Sequence, residues 1–260
     1  MNCIYKIICS VALSISVALS VQAATPELSV NIPNLSVNLN YQHPARLSQL
    51  LSDTQNLIQK RTKNIPFWLA AQLLQKDKNE QITLLKANIL KKLQLLSDEK
   101  PQSSIKAKLL TSFIKNNHFN YRHFISLDND FIRITAENDP LLKGKFTLLI
   151  PNRINKIRIV GSMKENQTAD LIEHAAIDDY LKTLTLPDNS DTSVAYIIQP
   201  DGAISKVNNA YWRHDPIFFA PATILFIGFN SLPNEYSSLN MQIAELLRYL
   251  TPLTMEGKGL

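Results

Sequence analysis

Apolar and polar residues alternate over the stretch 28–41. Leu28, Val30 and Ile32 fall on one side, and after Pro33-Asn34 the residues Leu35, Val37, Leu39 and Tyr41 repeat the pattern. A period of two predicts a β-hairpin with one buried face. His43-Pro44 ends it, and Leu47, Leu50, Leu51 and Leu57 predict a short amphipathic helix. Over 78–117 the period becomes helical. Ile82, Leu85, Ile89, Leu93 and Leu96 form one stripe, and after Asp98-Glu99-Lys100-Pro101 a second follows with Ile105, Leu109, Leu110, Phe113 and Ile114. Two helices about a short turn predict an antiparallel helical hairpin whose stripes pack on each other.

Strands are then predicted at His123–Leu127 and Phe131–Thr135, with Asp128-Asn129-Asp130 as the turn between them. More follow at Phe146–Ile150 and Ile154–Val160, the latter ended by Gly161. Thr168 predicts a helix cap, with Leu171, Ile172 and Ala175 on the inner face of a helix to about Ala176, and Asp178–Leu184 adds a short turn of helix. Val194–Gln199 and Ile204–Asn208 predict two strands joined by Pro200-Asp201-Gly202, and Ile224–Phe229 a buried one. The last apolar stripe, Leu239, Ile243, Leu246, Leu247 and Leu250, predicts an amphipathic helix of about four turns that Pro252 stops. Its apolar face suits its own domain first, then a partner groove or a membrane surface.

A helix packed across a small mixed sheet is an α+β arrangement with the shape of the β-grasp fold. The first half has the element order of a second copy, with the helical hairpin inserted. The expected division is 1–23 as a leader, 24–150 as a first domain carrying the hairpin, 151–235 as a second, and 236–260 as the C-terminal helix and tail.

The N-terminus sets the expected compartment. Lys6 is followed by the apolar run Ile7–Val21 and by Val21-Gln22-Ala23, which predicts a cleaved signal peptide cut after Ala23 and a periplasmic protein. The run is short for a membrane span of roughly 20 residues. Cys9 lies inside the apolar run behind two Ile, which argues against a lipoprotein. Both cysteines, Cys3 and Cys9, precede the cut, so the remainder has no disulfide, thiolate nucleophile or Cys-ligated metal. The whole chain has 27 basic and 22 acidic residues, for a net charge of +5. Without a concentrated basic patch this does not predict nucleic-acid binding.

Several motifs occur in order: Phe131-Ile132-Arg133, then Asn138-Asp139-Pro140-Leu141-Leu142-Lys143-Gly144, then Ile157-Arg158-Ile159-Val160-Gly161. Tyr196-Ile197-Ile198-Gln199-Pro200-Asp201-Gly202, Ala210-Tyr211-Trp212-Arg213-His214, Ala220-Pro221, Leu225-Phe226-Ile227-Gly228-Phe229 and Leu239-Asn240-Met241-Gln242-Ile243-Ala244 follow. This set resembles the GfcC family of capsule-biosynthesis proteins over most of the chain, most strongly from Phe119 to Leu250. The resemblance implies two β-grasp-like domains similar to periplasmic domains of Wza-type polysaccharide exporters, with a helical hairpin inserted in the first and a C-terminal amphipathic helix. It implies a role in assembling or exporting a capsule or extracellular polysaccharide, with no enzymatic activity to carry over. It also implies an Arg in a small pocket on the strand after the hairpin, which here is Arg122. Two departures stand out: Pro221-Ala222 where Pro-Gly is usual, and Gly161-Ser162-Met163-Lys164 where small apolar residues and a Gly-rich turn are usual.

Arg122 is the leading binding candidate, because its planar fork of donors fits carboxylate, phosphate or sugar hydroxyls. Tyr121, His123 and Phe124 flank it. The competing role is an internal ion pair with Asp128 or Asp130. Tyr121 and Trp212 are weaker ligand-binding candidates. Trp212 and Trp68 suit a core position better than an exposed one, since large aromatics usually fill cores. No metal or cofactor is expected. HExxH, a complete calcium loop, a Gly-x-Ser-x-Gly elbow and a phosphate-cradling Gly cluster are all missing. Asp178-Asp179 diverge on a helix and suit a solvated face rather than glycoside cleavage. The expected function is therefore non-catalytic recognition of a polysaccharide or of an outer-membrane exporter. The rivals are a polysaccharide-modifying or -cleaving enzyme and a pure protein–protein scaffold.

Overall fold

A computed structural model describes residues 25–61, 65–134, 136–161, 167–172, 177–182, 194–208, 218–229 and 232–251. The expected leader and the tail beyond Thr251 lie outside them. The chain is mixed α/β. Strands β1 (Leu28–Ile32) and β2 (Val37–Tyr41) form the expected hairpin, with Val30 opposite Leu39. A 3-10 turn at Pro33–Leu35 joins them, and Ser36 takes φ 51 to close it. Strands β3 (Ala45–Arg46) and β6 (Leu141–Leu142) make a separate two-stranded ribbon. With β4 (Gln72–Leu74), β5 (Arg122–His123) and β7 (Gly144–Leu149), the hairpin builds a five-stranded sheet in the order β2-β1-β7-β4-β5. Helix α1 (Leu47–Arg61) covers one face through Leu47, Leu50, Leu51 and Ile58.

The second sheet contains β8 (Lys156–Val160), β9 (Gln167–Asp170), β10 (Val194–Ile198), β11 (Ile204–Asn208) and β12 (Ile224–Ile227), in the order β11-β10-β12-β8-β9. Both sheets follow one path. The first strand is internal, the second lies outside it, the fifth runs parallel to the first, and the third and fourth complete the far side. The copies differ in the link between their third and fourth strands. In the first it holds α2 (Asn79–Glu99) and α3 (Pro101–Asn116); in the second it is the turn Gln199–Ala203.

Strand alternation gives the second sheet two buried faces. Ile157, Ile159, Ala195, Ile197, Leu225 and Ile227 pack toward Ile177 and Tyr180 of α5 (Ile177–Lys182). Val160, Tyr196, Ile198 and Phe226 face the other way, onto the helical hairpin and α6 (Leu239–Leu247). Polar bonds add to this contact. Lys92 Nζ donates to Gln242 Oε1 at 2.9 Å, and Tyr236 OH donates to Glu99 Oε2 at 2.9 Å. The hairpin turns at Lys100, whose extended backbone precedes Pro101 at the first helical position.

Several expectations are corrected. Residues 129–134 are helix α4 (Asn129–Ile134), not a strand. Asp128 is its cap: Oδ1 accepts from the amides of Asp130 at 2.9 Å and Phe131 at 3.3 Å. The strand before it is only Arg122–His123. Thr168 belongs to β9, opposite Arg158, and not to a helix. Pairing with the otherwise open edge of β8 outweighs its capping preference. On α3, Ile105 is 66% exposed and Ala107, Leu110, Phe113 and Ile114 face inward. On α1, Ile58 rather than Leu57 is buried. Helix α6 has nine residues, about two and a half turns. Among the described residues no helix is long and apolar enough to cross a membrane.

Candidate functional site

Leu73 of β4 points into the first core, so Gln72 and Leu74 point away from it. Arg122 is paired with Leu74 and shares its outward face. On β8, Ile157 and Ile159 face α5, so Arg158 faces the opposite side with Val160. These two faces meet. A small cavity of about 40 Å³ remains between them, lined by Gln72, Arg122, Arg158, Pro200, Arg248 and Thr251.

Arg122 and Arg158 are each 5% exposed. Arg122 Nη1 donates to the carbonyl oxygen of Pro200 at 3.0 Å, while its buried Nε has no partner. Gln72 donates Nε2 to the carbonyl of Leu250 at 3.2 Å and leaves Oε1 unpaired. No ion pair joins either arginine to a carboxylate among the described residues. Asp128, one of the two expected partners, is occupied in capping α4. Burial pulls the Arg122 guanidinium down to about 10; nearby Asp201 opposes that shift and Arg248 adds to it. Burial alone pulls Arg158 down to about 10. Both remain cationic at neutral pH. A buried charge without a counter-charge is costly; Arg122 has only the exposed Asp201 nearby, and Arg158 has none.

The Pro200-Asp201-Gly202 turn closes as the sequence predicts. Gly202 N donates to the Gln199 carbonyl at 2.8 Å and Gly202 takes φ +95. The turn aims two carbonyls at arginines: Pro200 at Arg122, and Gly202 at Arg248 Nε, 2.7 Å away. Arg248 is also paired with Glu245 at 2.9 Å. The Phe124 ring lies 5.1 Å from the Arg122 guanidinium carbon and 3.9 Å from that of Arg248. It leans on Gly202, where a Cβ would fall 2.5 Å from the ring. Beside it a wider cleft of about 420 Å³ is lined by Trp68, Phe124, Ser126, Asp128, Asp201 and both Arg122 and Arg248. The cleft thus combines aromatic faces, two cations, two carboxylates and hydrogen-bonding groups.

Tyr121 lines neither space. Its ring stacks on Tyr249 at 6.1 Å, meets His123 edge-on at 5.3 Å and carries the Lys78 ammonium at 5.3 Å. Trp212 lies outside the described residues. Trp68 both packs against the first core and lines the cleft. Among the described residues no group of three His, Asp or Glu could hold a metal ion. Sequence reasoning missed Arg158, Arg248 and Gln72 as members of the site. Arg158 carried a usable signal, being the one charge inside an otherwise apolar strand core, Ile157-Arg158-Ile159-Val160.

The family model described as capsule biosynthesis GfcC, N-terminal, matches residues 24–153, and the one described as capsule biosynthesis GfcC C-terminal matches residues 165–252. The uncharacterized protein YjbG of Escherichia coli (strain K12) is similar, being 26% identical over 133 residues. The match covers 50% of this chain and 54% of that relative, so the chain spans about half of the length of the curated protein.

Proposed function

Because the chain belongs to the GfcC family of capsule biosynthesis proteins, we propose that it is a non-catalytic, periplasmic accessory protein that holds the capsule or another extracellular polysaccharide in the cleft beside Arg122. On this reading each sheet with its helix is a β-grasp unit; the shared strand path supports that assignment. The observation that carries the binding role is Arg122 itself, buried on the cleft floor with one donor unpaired and no carboxylate partner. An arginine kept only for stability would be expected to have all its donors satisfied. A sugar ring stacking on Phe124 or Trp68 would bring its acidic group to Arg122 and Arg248.

The test is calorimetric titration of the purified protein with the polysaccharide of the producing strain. Wild-type protein binds, and folded Arg122→Ala loses about tenfold or more in affinity. Binding unchanged in Arg122→Ala removes this site. No binding by the wild type moves the contact to an outer-membrane exporter, and turnover of the glycan would reinstate an enzyme.

A further inference from the structure

Arg158 is not needed to explain the cleft, yet it is buried opposite Arg122 on the facing sheet. Together with Arg248 they place three guanidinium groups around one cavity. Glu245 neutralises Arg248 directly, and Asp201 offsets Arg122 through space. Arg158 has neither kind of partner among the described residues. The cavity of about 40 Å³ has room for about three water-sized groups. That is the size of a carboxylate group. Uncharged water would fill the volume but would leave the buried Arg158 cation unneutralised.

We infer that this cavity is a carboxylate site, in which Arg158 and Arg122 bind one carboxylate between the two sheets. Arg122 contributes its unpaired Nε, and Arg158, whose side chain makes no hydrogen bond or ion pair among the described residues, contributes its guanidinium. Gln72 Oε1 is an acceptor and would take a water hydrogen rather than the anion. The cavity and the open cleft share Arg122 and Arg248, so a carboxylate carried on a sugar in the cleft can reach inward to Arg158. The inference deepens the glycan reading and rests on it only in that last step: it makes the recognised polymer a uronic-acid-type one, with a free small carboxylate as the other source of the same chemistry.

The experiment titrates the purified full chain with acetate, D-glucuronate and D-glucose at fixed ionic strength, followed by calorimetry and by Tm. Acetate and glucuronate bind and raise Tm, and glucose and added chloride do not. Arg158→Met weakens acetate binding by about tenfold or more. Lys145→Met, a change at an exposed position on β7, does not. Absence of any anion binding by the wild type overturns the inference, as does equal binding by Arg158→Met. If Arg158→Met does not fold, Arg158→Lys replaces it, since it keeps the charge and loses the fork. Weakened binding then supports the site and unchanged binding removes it. Acetate binding without glucuronate binding keeps the site and assigns it to a free small carboxylate. Polysaccharide binding that persists while acetate and glucuronate both fail removes the carboxylate site and leaves the cleft reading intact.

Discussion

Ala222 takes φ 66 at the third position of the tight turn Ala220–Thr223, closed by Thr223 N donating to the Ala220 carbonyl at 3.1 Å. A turn with Pro at its second position and a positive φ at its third favours glycine. A side chain there is strained by about 1–2 kcal/mol. Ala222→Gly relieves that strain but adds freedom to the unfolded chain, for a net gain of about 0.5–1 kcal/mol. Urea unfolding checks this; a loss of stability would show that the Ala222 methyl, which lines the Arg122–Arg158 cavity, packs usefully. The departure from Pro-Gly was legible in the residues, and so was Arg122. Arg158 was legible only as a lone charge in an apolar strand core, because alternation along β8 puts it on the side that a one-faced sheet would leave to water. It is buried because β4, β5 and the end of α6, all distant in the chain, close over that side.

The helical hairpin shows how far periodicity reaches. Its existence and its turn were legible, because α2 repeats Ile82, Ile89, Leu93 and Leu96 and Pro101 forces the break. The inner face of α3 was not, since Ile105 and Ala107 are both apolar and spacing alone does not choose between them. Ile89→Ala, which empties a fully buried position, should cost about 2–5 kcal/mol. Ile105→Ala should change stability by no more than about 0.5 kcal/mol. Denaturant titration of both variants distinguishes them, and equal costs would contradict the packing described. Helix α4 and strand β9 were misread for related reasons. Phe131-Ile132-Arg133-Ile134 is rich in aromatic and β-branched residues like a strand, but a carboxylate cap at Asp128 and one buried residue, Ile132, suffice for a short helix. Thr168 suits a cap in isolation, yet β8 offers it a ladder.

At the scale of the molecule, the two sheets do not stand apart. One apolar core runs from the hairpin inserted in the first sheet, through α6, to the inner face of the second. The segment after α6 returns to the first sheet, where Asn120 N donates to the Tyr249 carbonyl at 2.9 Å and Gln72 reaches Leu250. Removing either unit would expose this core. Thermal unfolding should therefore be one cooperative transition, with calorimetric and van't Hoff enthalpies in agreement. Two resolved transitions would show that the shared core does not couple the units. The order of elements made the duplication legible in outline. The site was less so, because it is assembled from parts distant in the chain: the strand after the hairpin, the Pro200–Gly202 turn, β8 and the end of α6.

The parallel pairing of β1 with β7 sets an order in time. Leu28 lies beside Gly144, so β1 leaves the ribosome long before its central neighbour exists, with both hairpin helices made in between. The hairpin closes over a single residue, Lys100, and needs no distant partner to turn. A chain stopped before β7 therefore holds a β1–β2 ribbon whose inner edge is still unpaired, and such an edge is where a growing chain is most exposed to a wrong strand.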